Sequence, residues 1–361
     1  MVLVYGSKGV FLRQKSTISL REIAERTNFS ITTVSRALRN KGEVSTAVRC
    51  KILDIAKELR YRPNMLVKGM QTGRTKTIGV MVPPYDSYWT QVLYGIHEEL
   101  THADHVYINA WCSERQNGSS YSNLLQEQLH RLIDRRVDGL ILWAHLAPLY
   151  NESLVKDLEA RDLPVVTIDH ELPFADCVET DEEAGATLAA KHLLELGHTN
   201  IAHLGWDNSY KWAYLRRTFF EQAIAKSSKA KCTTIICTED EDVENATVKL
   251  LSLNPRPTAI FACSDRLVKM VYNVTEQMKL RIPEDLSVIG FADLEFVQWM
   301  QPPLTTIRQK GFEMGKVAAK LLIGRSEGTI SDRRPQVVKI GCELIPRQST
   351  ASAKNNNNFL T

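Results

Sequence analysis

At about 100 to 200 residues per domain, a chain of 361 residues predicts two or three domains, and an apolar content of 43% gives them material for well-filled cores. The net charge of +3 is unevenly divided: residues 1–76 hold 16 Lys and Arg against 5 Asp and Glu, net +11, which leaves 29 against 37, net −8, for residues 77–361. Concentrated positive charge on a small unit is the electrostatic footprint of a phosphate-backbone binder. No stretch approaches the roughly 18 apolar residues of a membrane span, and residues 1–15 carry Lys and Gly where a signal peptide needs an apolar run. A soluble, intracellular chain with a flexible N-terminal extension is expected. The seven cysteines form no CxxC or His-containing cluster at zinc-ligand spacing, so reduced thiols and no metal or cofactor are expected.

The first periodic stretch is Leu20 to Leu38. Leu20, Ile23 and Ala24 share one helix face, and Val34, Ala37 and Leu38 repeat the pattern after the polar turn Asn28-Phe29-Ser30. Ser30 is placed to cap the second helix. This is a helix-turn-helix pattern, in which the second helix presents its N-terminal exposed side chains to the major groove. The exposed set is Ile31, Thr32, Ser35 and Arg36. Arg36 suits a bidentate pair with guanine, and Ile31 and the Thr32 methyl suit a thymine methyl. Ser30 and Thr33 are better placed as phosphate donors. Two amphipathic helices alone describe an ordinary hairpin equally well; the basic charge of the segment favours the DNA reading.

The loop Arg39 to Glu43 follows, with Asn40 counted among the DNA-facing residues. Ser45 then caps a third helix through Leu59, with Val48, Ile52, Ile55, Ala56 and Leu59 closing a three-helix core. Tyr61-Arg62-Pro63 stops it. Residues 63–76, basic and containing two glycines, read as a linker. Beyond it, strand-length apolar runs at Thr77 to Val82, Val137 to Leu142, Pro164 to Ile168, Ile201 to Leu204, Ala259 to Ala262 and Ser287 to Phe291 alternate with helical patterns such as Gln91 to Leu100 and Thr187 to Leu196. Such alternation predicts parallel sheets covered on both faces, and there are more units than one doubly wound sheet holds. Two α/β lobes are expected, with ligands at the carboxyl ends of the strands.

Enzyme signatures are missing: there is no GxSxG, HExxH, GxxxxGK[ST] or strand-following GxGxxG. A histidine inside a strand, such as His203, reads as a satisfied core group. Asp181 and Glu182 stand at a helix start, where the macrodipole alone accounts for them. The acidic run at 238–244 reads as a solvated loop and helix start.

IAERTNFSITTVSRALRNKGEVS, ELRYRPN and TGRTKTIGVMVP together resemble the N-terminal module of the LacI/GalR family of bacterial transcription regulators. The likeness continues in order through VDGLIL, LPVVTID, AGATLAAKHLLELGHTNIAHLG, PTAIFACSD, IPEDLSVIGF and PPLTTIRQ, over about residues 16–352. It implies a headpiece at 16–62, a hinge at 63–76 and a two-lobe, periplasmic-binding-protein-like core at 77–350. The chain would cross between lobes three times, giving an N-lobe of 77–179 and 309–333, a C-lobe of 180–308 and 334–350, and a tail at 351–361.

The same resemblance implies a cytoplasmic homodimer on a near-palindromic DNA operator, controlled by a small-molecule effector in the interlobe cleft. Nothing after Arg347 resembles a heptad zipper, so a dimer is expected rather than a tetramer. It places Met70 as a minor-groove wedge. Tyr88 and Trp89 match effector-stacking positions, Trp143 and His145 follow a strand toward the same mouth, and Arg216 matches the effector-gripping arginine. Ser264, Asp265 and Asp293 complete the expected set. Departures are visible: Phe219 stands where the family has Gly, Ser264 where Asn is common, and Ala292 where the effector-gripping Asp is expected, with Asp293 one position late. A position often aromatic falls on Glu244. The altered polar partners argue against carrying over a specific sugar. A periplasmic binding protein would share the core but have no use for a basic headpiece, and an enzyme would need a motif that the chain lacks.

Overall fold

A computed structural model describes residues 18–39, 44–62, 69, 73–83, 86–111, 119–143, 152–208, 210–239, 242–332 and 334–353. The chain divides into two compact units, residues 1–73 and 74–361. The expected hinge therefore ends early. Asp138 accepts from the backbone N–H of Thr75 at 2.8 Å and of Lys76 at 2.7 Å, which fastens these residues to the second unit.

The first unit holds three helices, α1 (Leu20–Thr27), α2 (Ile31–Leu38) and α3 (Thr46–Glu58). Their boundaries follow from local chemistry. Ser19 and Glu22 form a reciprocal capping box at the start of α1, and Asn28 ends it in the left-handed region at φ 58°. Ser30 caps α2 by accepting from the Thr33 N–H at 3.0 Å, and Ser45 caps α3. Ile23, Ala24, Val34, Ala37, Ile52 and Ala56 meet in one core, so the apolar faces read from the sequence are those the helices bury. The Thr27 hydroxyl, buried beside them, donates back to the Ile23 carbonyl at 2.7 Å.

The second unit begins with β1 (Thr77–Val82), α4 (Ser87–His102), β2 (Val106–Trp111), α5 (Ser119–Asp134), β3 (Leu140–Trp143), α6 (Glu152–Ala160), β4 (Val165–Ile168) and β5 (Asp176–Thr180). It continues through α7 (Glu182–Glu195), β6 (Asn200–Trp206), α8 (Lys211–Ala225), β7 (Lys231–Cys237), α9 (Asp242–Leu251), β8 (Ala259–Ala262), α10 (Asp265–Gln277) and β9 (Ser287–Ala292). A short 3-10 helix (Glu295–Trp299), β10 (Thr305–Arg308), α11 (Gly311–Glu327), β11 (Val337–Ile340) and β12 (Glu343–Ile345) close it.

These strands form two six-stranded sheets, in the orders β11-β5-β4-β3-β1-β2 and β12-β10-β9-β8-β6-β7. All pairings are parallel except β10 with β12. The interior strands β3, β4 and β8 are buried along their whole length, which is why they read as continuous apolar runs and not as alternations. In the N-lobe α4 lies against α11 so closely that a Cβ on Gly95 would overlap the Phe312 carbonyl, and one on Gly315 the Val92 carbonyl. Glycine at both positions lets the two backbones touch.

Two expected boundaries are corrected. β11 pairs with β5 from Val337↔Cys177 to Ile340↔Thr180, so residues 337–340 belong to the N-lobe and the last crossing falls between β11 and β12. Residues 351–353 are not a free tail either: the Ala351 N–H donates to the Ser287 hydroxyl at 3.0 Å and the Ala353 N–H to the Leu196 carbonyl at 2.8 Å.

His203 also differs from expectation. It lies in β6 with no exposed surface, its ring 5.9 Å from that of Phe220 and 5.4 Å from that of Phe261. Neither ring nitrogen has a hydrogen-bond partner among the described residues. Burial, and then the charge of Arg217, push its pKa down to about 3. Neighbouring His198 is also buried, but it meets Thr258, Ser287 and the Ala351 carbonyl. A histidine with a depressed folded pKa supplies stability that is present above its unfolded value of about 6.5 and lost as pH falls toward 3. His203→Leu is therefore expected to keep stability that the wild type loses below about pH 6.5, with no partner left unsatisfied. Urea unfolding followed by tryptophan fluorescence checks this; parallel pH profiles for the two proteins would refute it. All six tryptophans lie beyond residue 76, so the signal reports the second unit alone.

Candidate DNA-reading helix and effector cleft

In the first unit α2 presents Ile31, Thr32 and Arg36 as exposed residues, with Thr33 and Ser35 half-buried beside them. Ile31, Thr32, Ser35 and Arg36 stand at i, i+1, i+4 and i+5, which spans one side of a helix of 3.6 residues per turn. The opposite side, Val34 and Ala37, is the core. Ile31 keeps 45% of its surface, an exposed β-branched residue at a helix start that packing does not require. The hydroxyls of Ser30 and Thr33 lie 2.9 Å apart, so the two expected phosphate donors form one polar cluster at the N-terminus of the helix. Asn40 and Met70 lie outside the described residues.

In the second unit the carboxyl ends of both sheets carry the polar chemistry. Arg266 on α10 reaches Asp86, the N-cap of α4, at 2.6 Å. The Glu295 N–H donates to the Ser87 hydroxyl at 2.9 Å. Lys211, at the start of α8, donates to Glu171 at 3.0 Å and to Glu179 at 3.1 Å. Each link joins the two lobes. Burial works against the Lys211 charge, but the two carboxylates outweigh it and hold its pKa above the usual value.

The lobe junction also holds a buried charged cluster, in which Asp169 of the N-lobe feels the charges of Glu182 and Arg216. Arg216 on α8 donates through Nε to Glu182 Oε2 at 2.6 Å and through Nη2 to Glu182 Oε1 at 2.9 Å, and its Nη1 donates to the Cys263 carbonyl at 2.8 Å. The guanidinium lies 3.7 Å from the Phe291 ring and 4.6 Å from the Trp212 ring. Burial opposes the Arg216 charge and Glu182 more than restores it, so the group stays cationic. Asp169, at the end of β4, takes longer bonds: from the Tyr88 hydroxyl at 3.4 Å, and from the Thr180 N–H and hydroxyl at 3.4 and 3.5 Å. Gln309 donates to the Thr180 hydroxyl at 2.8 Å. Burial, and then the Glu182 charge, push the Asp169 carboxyl up to about 7.

The expected effector residues thus divide. Tyr88 and Arg216 meet in this cluster. The expectation that the Arg216 fork grips a ligand is corrected, because Glu182 already occupies it, and the macrodipole reading of Glu182 is corrected with it. Trp89 is packed edge-on against Tyr88 and against Trp143, with ring centroids 5.0 and 5.7 Å apart, and all three belong to the N-lobe core. Their open stacking faces are therefore not found. Ser264 caps α10. Asp265 is fully buried, accepting from the Leu294 N–H at 2.9 Å and the Thr306 hydroxyl at 2.8 Å, and Asp293 is held by Arg308 and Arg347, each at 2.7 Å. Both carboxylates brace strand ends instead of reaching into the cleft. His145 lies outside the described residues.

Sequence reading missed Asp169, Glu182, Lys211 and the aromatic trio Trp206, Tyr210 and Trp212. Only the positions of Trp206 and Asp169 at strand ends signalled them. The described residues hold no group of three or more His, Cys, Asp or Glu fit for a metal, and no helix among them is long and apolar enough to cross a membrane.

A three-helix unit with an exposed reading face, joined to two sheets whose carboxyl ends converge on a cleft, defines a DNA-binding regulator with a ligand-binding core. Residues 19–64 match the family described as bacterial regulatory proteins, lacI family, and residues 190–350 match a periplasmic binding protein-like domain. The ribose operon repressor of Haemophilus influenzae is 30% identical over 344 residues, covering 93% of this chain and 99% of that protein. The lac repressor dimer bound to operator and the anti-inducer ONPF superposes with a TM-score of 0.76 at 23% identity, over 93% of this chain and 100% of that one. A regulator from Enterococcus faecium with bound ribose superposes with a TM-score of 0.64 at 27% identity, over 77% of this chain and 100% of that one. The chain belongs to the LacI family of bacterial transcription regulators.

Two outcomes are expected from these sites. Arg36→Ala should lose about 1 to 3 kcal/mol per half-site and relax the preference at one base pair. Binding-site selection that returned the wild-type preference would remove Arg36 from the reading face. Asp169 has a raised folded pKa, so its contribution to stability is full below its unfolded value near 3.8 and is lost as pH rises through about 7. The second unit of the wild type should lose stability across that window relative to Asp169→Asn, measured by urea unfolding.

Proposed function

We propose that the protein is a repressor that binds a near-palindromic operator as a homodimer and releases or gains it on binding a small molecule, a sugar or related metabolite, between the two lobes. The observation that carries this reading is the pairing of α2, with Ile31, Thr32, Ser35 and Arg36 along one side, with a cleft that gathers Asp169, Glu182, Arg216 and Lys211 from both lobes. Ser30 and Thr33 hold phosphate and set register; the other four read base edges. Asn40 and Met70 are assigned to the same DNA interface, Met70 as an apolar wedge in the minor groove.

The relatives support the ligand class. One is a ribose operon repressor, and one structural neighbour holds ribose. Ligand binding works by linkage: a molecule that prefers one arrangement of the lobes shifts the dimer toward the DNA geometry that goes with it, by its difference in affinity and no more. The protein acts in the cytoplasm, on the nucleoid, and catalyses no reaction. Retardation and footprinting of the organism's own upstream DNA with the full chain should show one protected site with two symmetric halves, and a sugar should change its occupancy. Binding that ignores sequence would refute the regulator reading.

A further inference from the structure

The arginine of the cleft is not available to a ligand. Three of the five N–H groups of a guanidinium are engaged by Glu182 and the Cys263 carbonyl, and the group lies against the rings of Phe291 and Trp212. Its side chain is 5% exposed and that of Glu182 is 7% exposed. An anionic ligand seeking the bidentate fork would have to displace Glu182 and leave a carboxylate buried without its counter-charge, which is strongly unfavourable. The other cations that the interlobe links place at the cleft are already paired: Lys211 faces Glu171 and Glu179, and Arg266 faces Asp86. Asp169, by contrast, meets only hydroxyls and a backbone N–H, all at 3.4 to 3.5 Å.

We infer that the cleft takes a ligand without an anionic group, an uncharged polyhydroxyl compound that offers hydroxyl donors to Asp169, and that Glu182 excludes phosphorylated or carboxylated relatives by occupying Arg216. The inference rests on the cleft being the effector site. It deepens that reading by fixing the charge class. A carboxyl near its midpoint at neutral pH accepts from a hydroxyl as its anion and donates to one when protonated, so a hydroxylated ligand suits it in both states. Trp206, at the carboxyl end of β6, and Trp212 are half-buried there and offer apolar surface for a sugar ring.

Inorganic phosphate is the first probe, titrated into the full chain at constant ionic strength against chloride, with thermal unfolding read by tryptophan fluorescence. Wild type should show no saturable rise in midpoint. Glu182→Gln, which removes the charge and keeps the shape, should show one, and Glu182→Gln combined with Arg216→Gln should lose it. A saturable response in wild type that Arg216→Gln abolishes would overturn the inference, as would a folded Glu182→Gln protein without a response.

Should Glu182→Gln fail to fold, wild type decides by itself through D-ribose against ribose 5-phosphate and D-glucose against glucose 6-phosphate. The unphosphorylated member of any pair that binds should bind at least about tenfold tighter. Tighter binding of a phosphorylated member overturns the charge assignment while leaving effector control intact. Operator retention measured in the same samples separates the two: ligand binding at the cleft without change in operator affinity would refute effector control and leave the charge assignment standing.

Discussion

The Arg216–Glu182 pair is the constraint on which the cleft depends. Arg216 projects from α8, Glu182 stands at the first position of α7, Cys263 directly follows β8 and Phe291 lies in β9. One guanidinium therefore ties two helices and two strand ends of the C-lobe at the place where the chain enters from the N-lobe. Neither charge survives alone at this depth. Removing one partner of a buried pair typically costs about 3 to 5 kcal/mol because the other is stranded, whereas the pair itself roughly breaks even against apolar packing. What the pair adds is direction: it holds the α7 start against β8 and β9, and it decides which charges are left for a ligand.

A paired carboxylate and arginine recur at two other strand ends. Asp176, starting β5, accepts twice from Arg325 of α11, at 2.7 Å each, and once from the Gln336 N–H at 2.8 Å just before β11. Asp293, after β9, takes Arg308 from the end of β10 and Arg347 from beyond β12. In both places a carboxylate and an arginine fix a strand end. Asp265 does the same with neutral donors, and Gly290 leaves it room, since a Cβ there would overlap its Oδ1. The departures of this chain from the family pattern at Ala292 and Asp293 acquire a reason: the carboxylate one position late serves the strand ends and not the pocket.

What the sequence made legible was local. Caps at Ser30 and Ser45, the apolar face of α3, the buried strands and the glycine that ends α7 at φ 84° are all decided within a few residues, and all were readable. The third crossing was not, because β11 is four residues of Val-Val-Lys-Ile with mixed exposure, and only its pairing with β5 assigns it to a lobe. The cleft failed for the same reason. Glu182 with Arg216 spans 34 positions, Lys211 with Glu171 spans 40, and Tyr88 with Asp169 spans 81. Two acidic residues at a helix start look alike in a sequence, yet Asp181 is an ordinary N-cap and Glu182 is a buried counter-ion.

The links across the cleft among the described residues differ in kind, and this bears on how the lobes can move. Asp86–Arg266 and Lys211 with its two carboxylates are charged and partly exposed, so water and salt compete for them; Ser87–Glu295 is a single neutral bond. Each is weak, and none involves the buried pair. The polar links are thus of a strength that a small ligand's own hydrogen bonds can match, although Leu294 of the C-lobe also packs into the N-lobe core, while the Arg216–Glu182 and Arg325–Asp176 pairs lie buried inside their lobes. Such a division suits lobes that shift as bodies without unfolding, a change that a difference in ligand affinity between two lobe arrangements can drive.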